Sequence, residues 1–330
     1  MMRMLMLFAG ALALQPMLCG PTAAQANWPE RPITNVIPFP AGSATDVVAR
    51  IVSREMSKRL GQPVIIENRA GGDGINGTRL AARSDPDGYT VTIGTPSSYA
   101  AAPTVHAGTL PYDPVKDFVP ISLIGRTPYL LAVSPKLKVK SVDELVALAK
   151  SKPGVLNYSS VGEGSVARIG MLTFALQKGL QFMHIPYKTS AQSVVDLAAG
   201  VIDLQLATIP PTLPLLQGGK VNVLAVTSAK RIALLPQVPT MQESGVNDYD
   251  ITFWLSMFAP SKTPPHIVNR LNAVLRESLE MPEVKEALAK QGIEAESNSS
   301  QQMAAIVQKD IDIFRDAVIR AGIIFKKEKE

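Results

Sequence analysis

Cysteine is nearly absent: the one copy in 330 residues, Cys19, lies within the first 26. The rest of the chain therefore relies on neither disulfides nor thiol chemistry. That suits an oxidising compartment, in a chain long enough to bury one large core or two ordinary ones. Aromatic residues make up only 5% of the chain, which argues weakly against a large stacked ligand. The three histidines, His106, His184 and His266, have no metal-ligand spacing, so no metal site is expected. No Gly-x-Ser-x-Gly elbow is present, which opposes a secreted hydrolase, and no catalytic residue is expected. Net charge is +5, with Lys and Arg scattered among acids; the tail at 326–330 alternates in sign, and nothing argues for nucleic acid.

Long apolar runs are confined to the start. Arg3, the apolar stretch 4–14 and the small residues ending in Ala24-Gln25-Ala26 predict a secretory signal peptide over 1–26, cleaved after Ala26 and too short to span a membrane. Pro16-Met17-Leu18 before Cys19 is not a lipoprotein box. No later run reaches about 18 apolar residues, so the mature protein is expected to be soluble.

What is there instead is alternation. Residues 33–39 read as a buried strand, and Val47, Val48, Ile51, Val52, Met56 and Leu60 mark one face of a following helix that Gly61 and Pro63 end. Strands at 64–67 and 90–94 follow, then an apolar segment over 121–133 and a helix over 142–150. Next come strand 156–159, helix 165–178, strand 182–187, helix 191–199, and strands 202–207 and 221–227. After breaks at Pro236, Pro239 and Gly245, residues 251–259 are extended again. The C-terminus is helical, with Thr263 as N-cap before Pro264, and a last helix over 300–321 stopped by Gly322. The alternation predicts an α/β architecture in two lobes with a ligand between them.

Four loops after strands carry the chemistry. In PFPAGSATDVVAR, residues 38–50, Ser43 and Asp46 fit a capping box, the Ser43 side chain accepting from the Asp46 N–H and Asp46 reaching back to the Ser43 N–H. Such a cap, worth about 1 kcal/mol, can be no more than a good helix start. The N–H groups it leaves over, with the helix dipole, make an anion site. Asp46 weighs against a dianionic phosphate and no P-loop Lys follows, leaving a carboxylate. The second loop contains Gly72, Gly74 and Gly77 in Gly-x-Gly-x-x-Gly spacing. The stretch where a dinucleotide site needs an acid, Thr95-Pro96-Ser97-Ser98-Tyr99, has none, so neither NAD nor any other cofactor is expected. The glycines read as a second backbone-amide concavity or as a bare tight turn, and Thr95 and Ser97 are added as candidates. The third loop, 159–165, brings Ser160 and an N-cap Ser165, with Arg168 one turn into the helix. The fourth, 186–190, brings Tyr187 and Lys188. Asp203 is either a pocket acceptor or a locally paired residue at the start of a strand. Amides, hydroxyls and two cations read together as an acid-binding cleft.

These loops also carry a resemblance. Pro38 to Asp46, Glu67-Asn68-Arg69, Asp85-Pro86-Asp87-Gly88-Tyr89-Thr90, Leu110-Pro111-Tyr112-Asp113-Pro114, Lys116-Asp117-Phe118, His184 to Lys188, Leu235 to Thr240, Ala259-Pro260 and Thr263-Pro264 resemble the periplasmic solute-binding receptors of tripartite tricarboxylate transporters, the Bug receptors. The resemblance implies a type II-like, two-lobe periplasmic-binding-protein fold, each lobe a mainly parallel sheet flanked by helices. Lobe one would comprise 27–125 plus 230–330 and lobe two 126–229, hinged by two crossing segments. It further implies a monomer that closes on a small carboxylate and delivers it to integral-membrane permease subunits, the alternative being an adaptor for a periplasmic sensor kinase. Phe39, Ala41, Ser43, Ala44 and Thr45, with Gly71, Gly72, Asp73 and Gly74, would grip the acid through amides and bound water. Ser160, Ser165 and Asp203 would face them. Ser43 stands where a second glycine is usual and Arg168 where a histidine is. Arginine is always charged and binds carboxylates in bidentate fashion, so Arg168 is expected either to hold a second acidic group or to face solvent.

Overall fold

The computed structural model describes residues 28–162 and 164–320. The expected signal segment with Cys19, Glu163 of the third loop, Gly322 and the charged tail lie outside these residues. The strands are β1 (Ile33–Ile37), β2 (Val64–Asn68), β3 (Thr90–Gly94), β4 (Phe118–Pro128), β5 (Leu130–Val133), β6 (Asn157–Ser160), β7 (Met183–Pro186), β8 (Leu204–Ala207), β9 (Asn222–Val226), β10 (Thr252–Pro260) and β11 (Glu294–Ala295). The helices are α1 (Ala44–Leu60), α2 (Ile75–Ala82), α3 (Ala102–Val105), α4 (Val142–Ser151), α5 (Val166–Lys178), α6 (Ser190–Ala199), α7 (Ile209–Gln217), α8 (Pro265–Glu280), α9 (Pro282–Ala289) and α10 (Ser300–Arg320). Among the described residues, no helix is long and apolar enough to cross a membrane.

The strands form two sheets, ordered β11-β4-β10-β3-β1-β2 and β7-β6-β8-β5-β9. β1 is parallel to β2 and β3, and β6 to β7 and β8. β10 runs against β3 and β4, and β5 runs against β8 and β9. Apart from the short β11, the reversed strand in each sheet is the one that has just crossed from the other sheet. The two sheets therefore repeat one topology, the two-lobe α/β arrangement.

The first crossing is one residue long. The apolar run 121–133 is two strands in different sheets, because Pro128 lacks the N–H that would carry the ladder onward, and Tyr129 turns the chain between them. The return passes through 227–251, and Thr227 ties both crossings together. Tyr129 N–H donates to Thr227 Oγ1 at 2.8 Å, and that hydroxyl donates to the Ile251 carbonyl at 2.6 Å. Leu235 and Val238 pack with Leu130, Ile209 and Val226, so a segment expected within lobe one lies against the second sheet.

Two helices depart from expectation locally. α8 is capped by Pro264 with Pro265 at its first position, one residue later than expected, and the buried Thr263 hydroxyl has no partner. α7, which contains Pro210, Pro211 and Pro214, is unforeseen. The first two fall in the opening turn, where a helix needs no internal N–H donor. α10 spans the lobes: Met303 and Val307 pack with Tyr99, Trp254 and Phe258, while Val318 meets Ile169 of α5.

Candidate functional site

The first loop links β1 to α1. Gly42 has φ +79°, a left-handed conformation that favours glycine, whereas Ser43 is extended at φ −69°, ψ 162° and carries its side chain without strain. Ser43 Oγ accepts from the Asp46 N–H at 3.3 Å, as the cap requires. Asp46 returns not to Ser43 but to the Gly42 N–H, at 2.9 Å, because the Ser43 N–H is taken by the Pro40 carbonyl. Asp46 is 2% exposed and also accepts from Arg50 Nε and a terminal Arg50 nitrogen at 2.9 and 3.0 Å, and from Asn68 Nδ2 at 2.9 Å. Burial pushes this carboxyl up, but the bonds from Arg50, Gly42 and Asn68 outweigh it and hold the group below its ordinary range. Its charge is thus compensated by Arg50, and the expectation that Asp46 repels phosphate is corrected. Asp46 is scaffold for the loop, as is Asn68, whose Nδ2 also donates to the Phe39 carbonyl at 3.1 Å. The N–H groups of Ala44 and Thr45, in the first turn of α1, have no acceptor among the described residues.

The second loop is a knuckle of four successive positive φ values: Gly71 at +129°, Gly72 at +57°, Asp73 at +54° and Gly74 at +92°. Gly77 serves a different need. A Cβ there would lie 2.6 Å from Pro38 Cα and 2.8 Å from the Arg69 carbonyl, so only glycine lets α2 lie against the first loop. The glycine spacing that suggests a dinucleotide instead packs two loops together. Asp73 Oδ2 accepts from the Gly164 N–H at 3.2 Å, bridging the lobes.

Opposite lies the start of α5. Ser165 caps it, Oγ accepting from the Arg168 N–H at 3.3 Å and donating to the Gly162 carbonyl at 3.0 Å. Val166 N–H donates to Ser97 Oγ at 3.3 Å, a second bond between lobes. Among the described residues the N–H of Ala167 has no acceptor, nor do those of Ser190 and Ala191 at the start of α6, where Thr189 Oγ1 accepts from Gln192. Tyr187 donates its hydroxyl to Asp196 Oδ2 at 2.6 Å; burial and that carboxylate push the phenol up to about 12, so it stays neutral.

The starts of α1, α5 and α6 thus meet one cavity of about 680 Å³ at the carboxyl ends of the strands, where α/β sheets bind ligands. Its apolar walls include Phe39, Tyr129, Leu206 and Phe253, and among the described residues its charged lining comprises Asp73 and the exposed Lys188. Each helix start contributes up to about half a positive charge, so the cavity favours an anion.

Of the candidates, Phe39, Ala41, Ser43, Ala44, Thr45, Gly71, Gly72, Asp73, Gly74, Ser97, Ser160, Ser165 and Tyr187 line this cavity. Thr95, Arg168 and Asp203 do not. Asp203 precedes β8, at the end of the sheet away from the cavity, where its Oδ2 accepts from the Asn157 N–H at 2.9 Å and its N–H donates to Asn157 Oδ1 at 3.0 Å. Arg168 is one position past Ala167, about 100° around the helix, which turns its side chain from the cavity wall. Thr95 is buried before the turn that presents Ser97. Ser159 and Ser190, of the third and fourth loops, also line the cavity, as do Ser193, Gln205 and Thr208, which were not foreseen. The one visible signal was a glutamine interrupting the buried strand Leu204–Ala207.

Comparison with known proteins gives the arrangement its relatives. The family model of the tripartite tricarboxylate transporter family receptor matches residues 48–323. Protein BugT of Bordetella pertussis is 35% identical over 309 residues, covering 94% of each chain. An R. palustris protein, Rpa4515, solved with adipate, superposes with a TM-score of 0.87 at 36% identity over 89% of this chain and 98% of that one. MatC from Rhodopseudomonas palustris, solved with bound malate, gives 0.83 at 31% over 88% and 100%. The chain belongs to the tripartite tricarboxylate transporter receptor family.

Proposed function

We propose that this chain is a periplasmic receptor that captures a small organic acid between its lobes and hands it to the permease subunits of a tripartite tricarboxylate-type transporter. The observation that carries this is the convergence of unpaired first-turn N–H groups, from Ala44 and Thr45 on one side and Ala167, Ser190 and Ala191 on the other, on one cavity. Backbone amides suit a carboxylate and require no buried cation. The adipate and malate held by two relatives are of the same chemical class. The bonds from Gly164 to Asp73 and from Val166 to Ser97 are the contacts that would fasten the lobes over the acid.

A thermal-shift screen of the purified mature chain tests this, pairing each acid with its methyl ester. An acid at 100 times its Kd adds about 2.7 kcal/mol of stability, while the ester adds none. If no acid raises the melting temperature, or the esters do so equally, the proposal fails. Uptake of the identified acid in cells with and without the receptor and the permease genes tests delivery.

A further inference from the structure

Gln205 sits in β8, a strand buried along its whole length, and lines the cavity while only 2% exposed. Its carboxamide is held from two elements. Ser159 Oγ on β6 donates to Oε1 at 2.6 Å, and Ser193 Oγ on α6, whose one hydrogen is shared with the Ser190 carbonyl at 3.0 Å, lies 2.8 Å from the same oxygen. With its oxygen fixed in this way, the amide turns its nitrogen elsewhere. Nε2 is buried and has no partner among the described residues. A buried donor without an acceptor is a cost that a fold does not ordinarily retain, and here it belongs to a residue that lines the cavity that is to receive the ligand.

We propose that Gln205 is a specificity-determining residue that donates Nε2–H to a second polar group on the bound acid. This deepens the receptor function proposed above and rests on it. The ligand class that follows is an acid carrying a hydrogen-bond acceptor at its far end: a carbonyl, a ring nitrogen or another carboxylate oxygen. A hydrocarbon end leaves the Gln205 donor unpaired. An ammonium end adds donors facing a donor, near helix starts whose dipoles already repel positive charge. Amino acids with a distal ammonium group and plain fatty acids are therefore disfavoured.

The test is calorimetry on matched series of four to eight carbons: the plain monocarboxylate, its ω-amino acid and its ω-carboxamide. At the best-fitting length, the carboxamide binds tenfold or more tighter than the plain acid, and the ω-amino acid is weakest. Gln205→Leu reduces the carboxamide's advantage below twofold. Gln205→Glu, which keeps the shape and replaces the donor by an acceptor, shifts preference toward the ω-amino acid and keeps the inference open to refutation should Gln205→Leu misfold. Plain acids that bind with no preference for the carboxamide, or a preference that survives both substitutions, would overturn the role of Gln205 and leave the receptor function standing. Failure of every acid to bind would remove both.

Discussion

Ala44 offers a way to delete one backbone N–H and little else. It is the first helical residue of α1, and its N–H has no acceptor among the described residues. Proline is best tolerated at that position of a helix, with φ already set and no intrahelical bond to lose. The residue before a proline must be extended, and Ser43 at φ −69°, ψ 162° already is. Ala44→Pro should therefore keep the fold, with urea unfolding giving a stability within about 1 kcal/mol of the parent. If the Ala44 N–H holds the ligand's carboxylate, the substitution removes one charge-assisted hydrogen bond, about 1.5–3 kcal/mol. That corresponds to a Kd raised roughly 10- to 150-fold, read by calorimetry with the tightest acid from the screen. An Ala44→Pro protein of parental stability that binds the acid as the parent does would refute the assignment of α1 as the anion site.

Gly77→Ala forces a Cβ against Pro38 and Arg69, so it is expected to cost about 1–3 kcal/mol in urea unfolding and to weaken acid binding as the first loop shifts. Asp46 has its carboxyl held below the ordinary 3.8 when folded, so its contribution is complete above about pH 4 and is lost as pH falls through the lowered folded value. Unfolding between pH 5 and 2 should accordingly be less pH-dependent in Asp46→Asn than in the parent. At pH 7 that variant should lose about 1–2 kcal/mol, a modest figure because Arg50 is 55% exposed and solvent screens the pair. Arg168→Ala is expected to leave the Kd for the acid within twofold, since the side chain does not line the cavity; a tenfold loss by calorimetry would restore it as a ligand contact.

The parts of this molecule that were legible in the sequence are those set by local chemistry. Ser43 and Ser165 announce their caps by spacing alone, because the bond each makes spans three residues. What was not legible depends on assembly. The split of 121–133 at Tyr129 is invisible in an apolar run, since both halves are equally buried and only pairing partners tell them apart. Asp203 was assignable in principle: it precedes its strand, and the ligand end of an α/β sheet follows the strands. Arg168 depended on helix phase, one step past the residue that faces the cavity. Gln205 stood out as a polar residue in a buried strand, but its role needed Ser159 and Ser193, brought to it from 46 and 12 residues away. Gly72, Gly74 and Gly77 were recognised as a motif, yet their purpose turned on the nearness of Pro38, which no spacing within the loop encodes.

The most direct test of the receptor function is a crystal structure of the mature chain with the acid that gives the largest thermal shift. A carboxylate group of that acid is expected in the cavity at about 2.7–3.2 Å from the backbone nitrogens of Ala44 and Thr45, directly or through one water. A carboxylate paired instead with Lys188 or Arg168, or an acid bound outside the cavity, would contradict it.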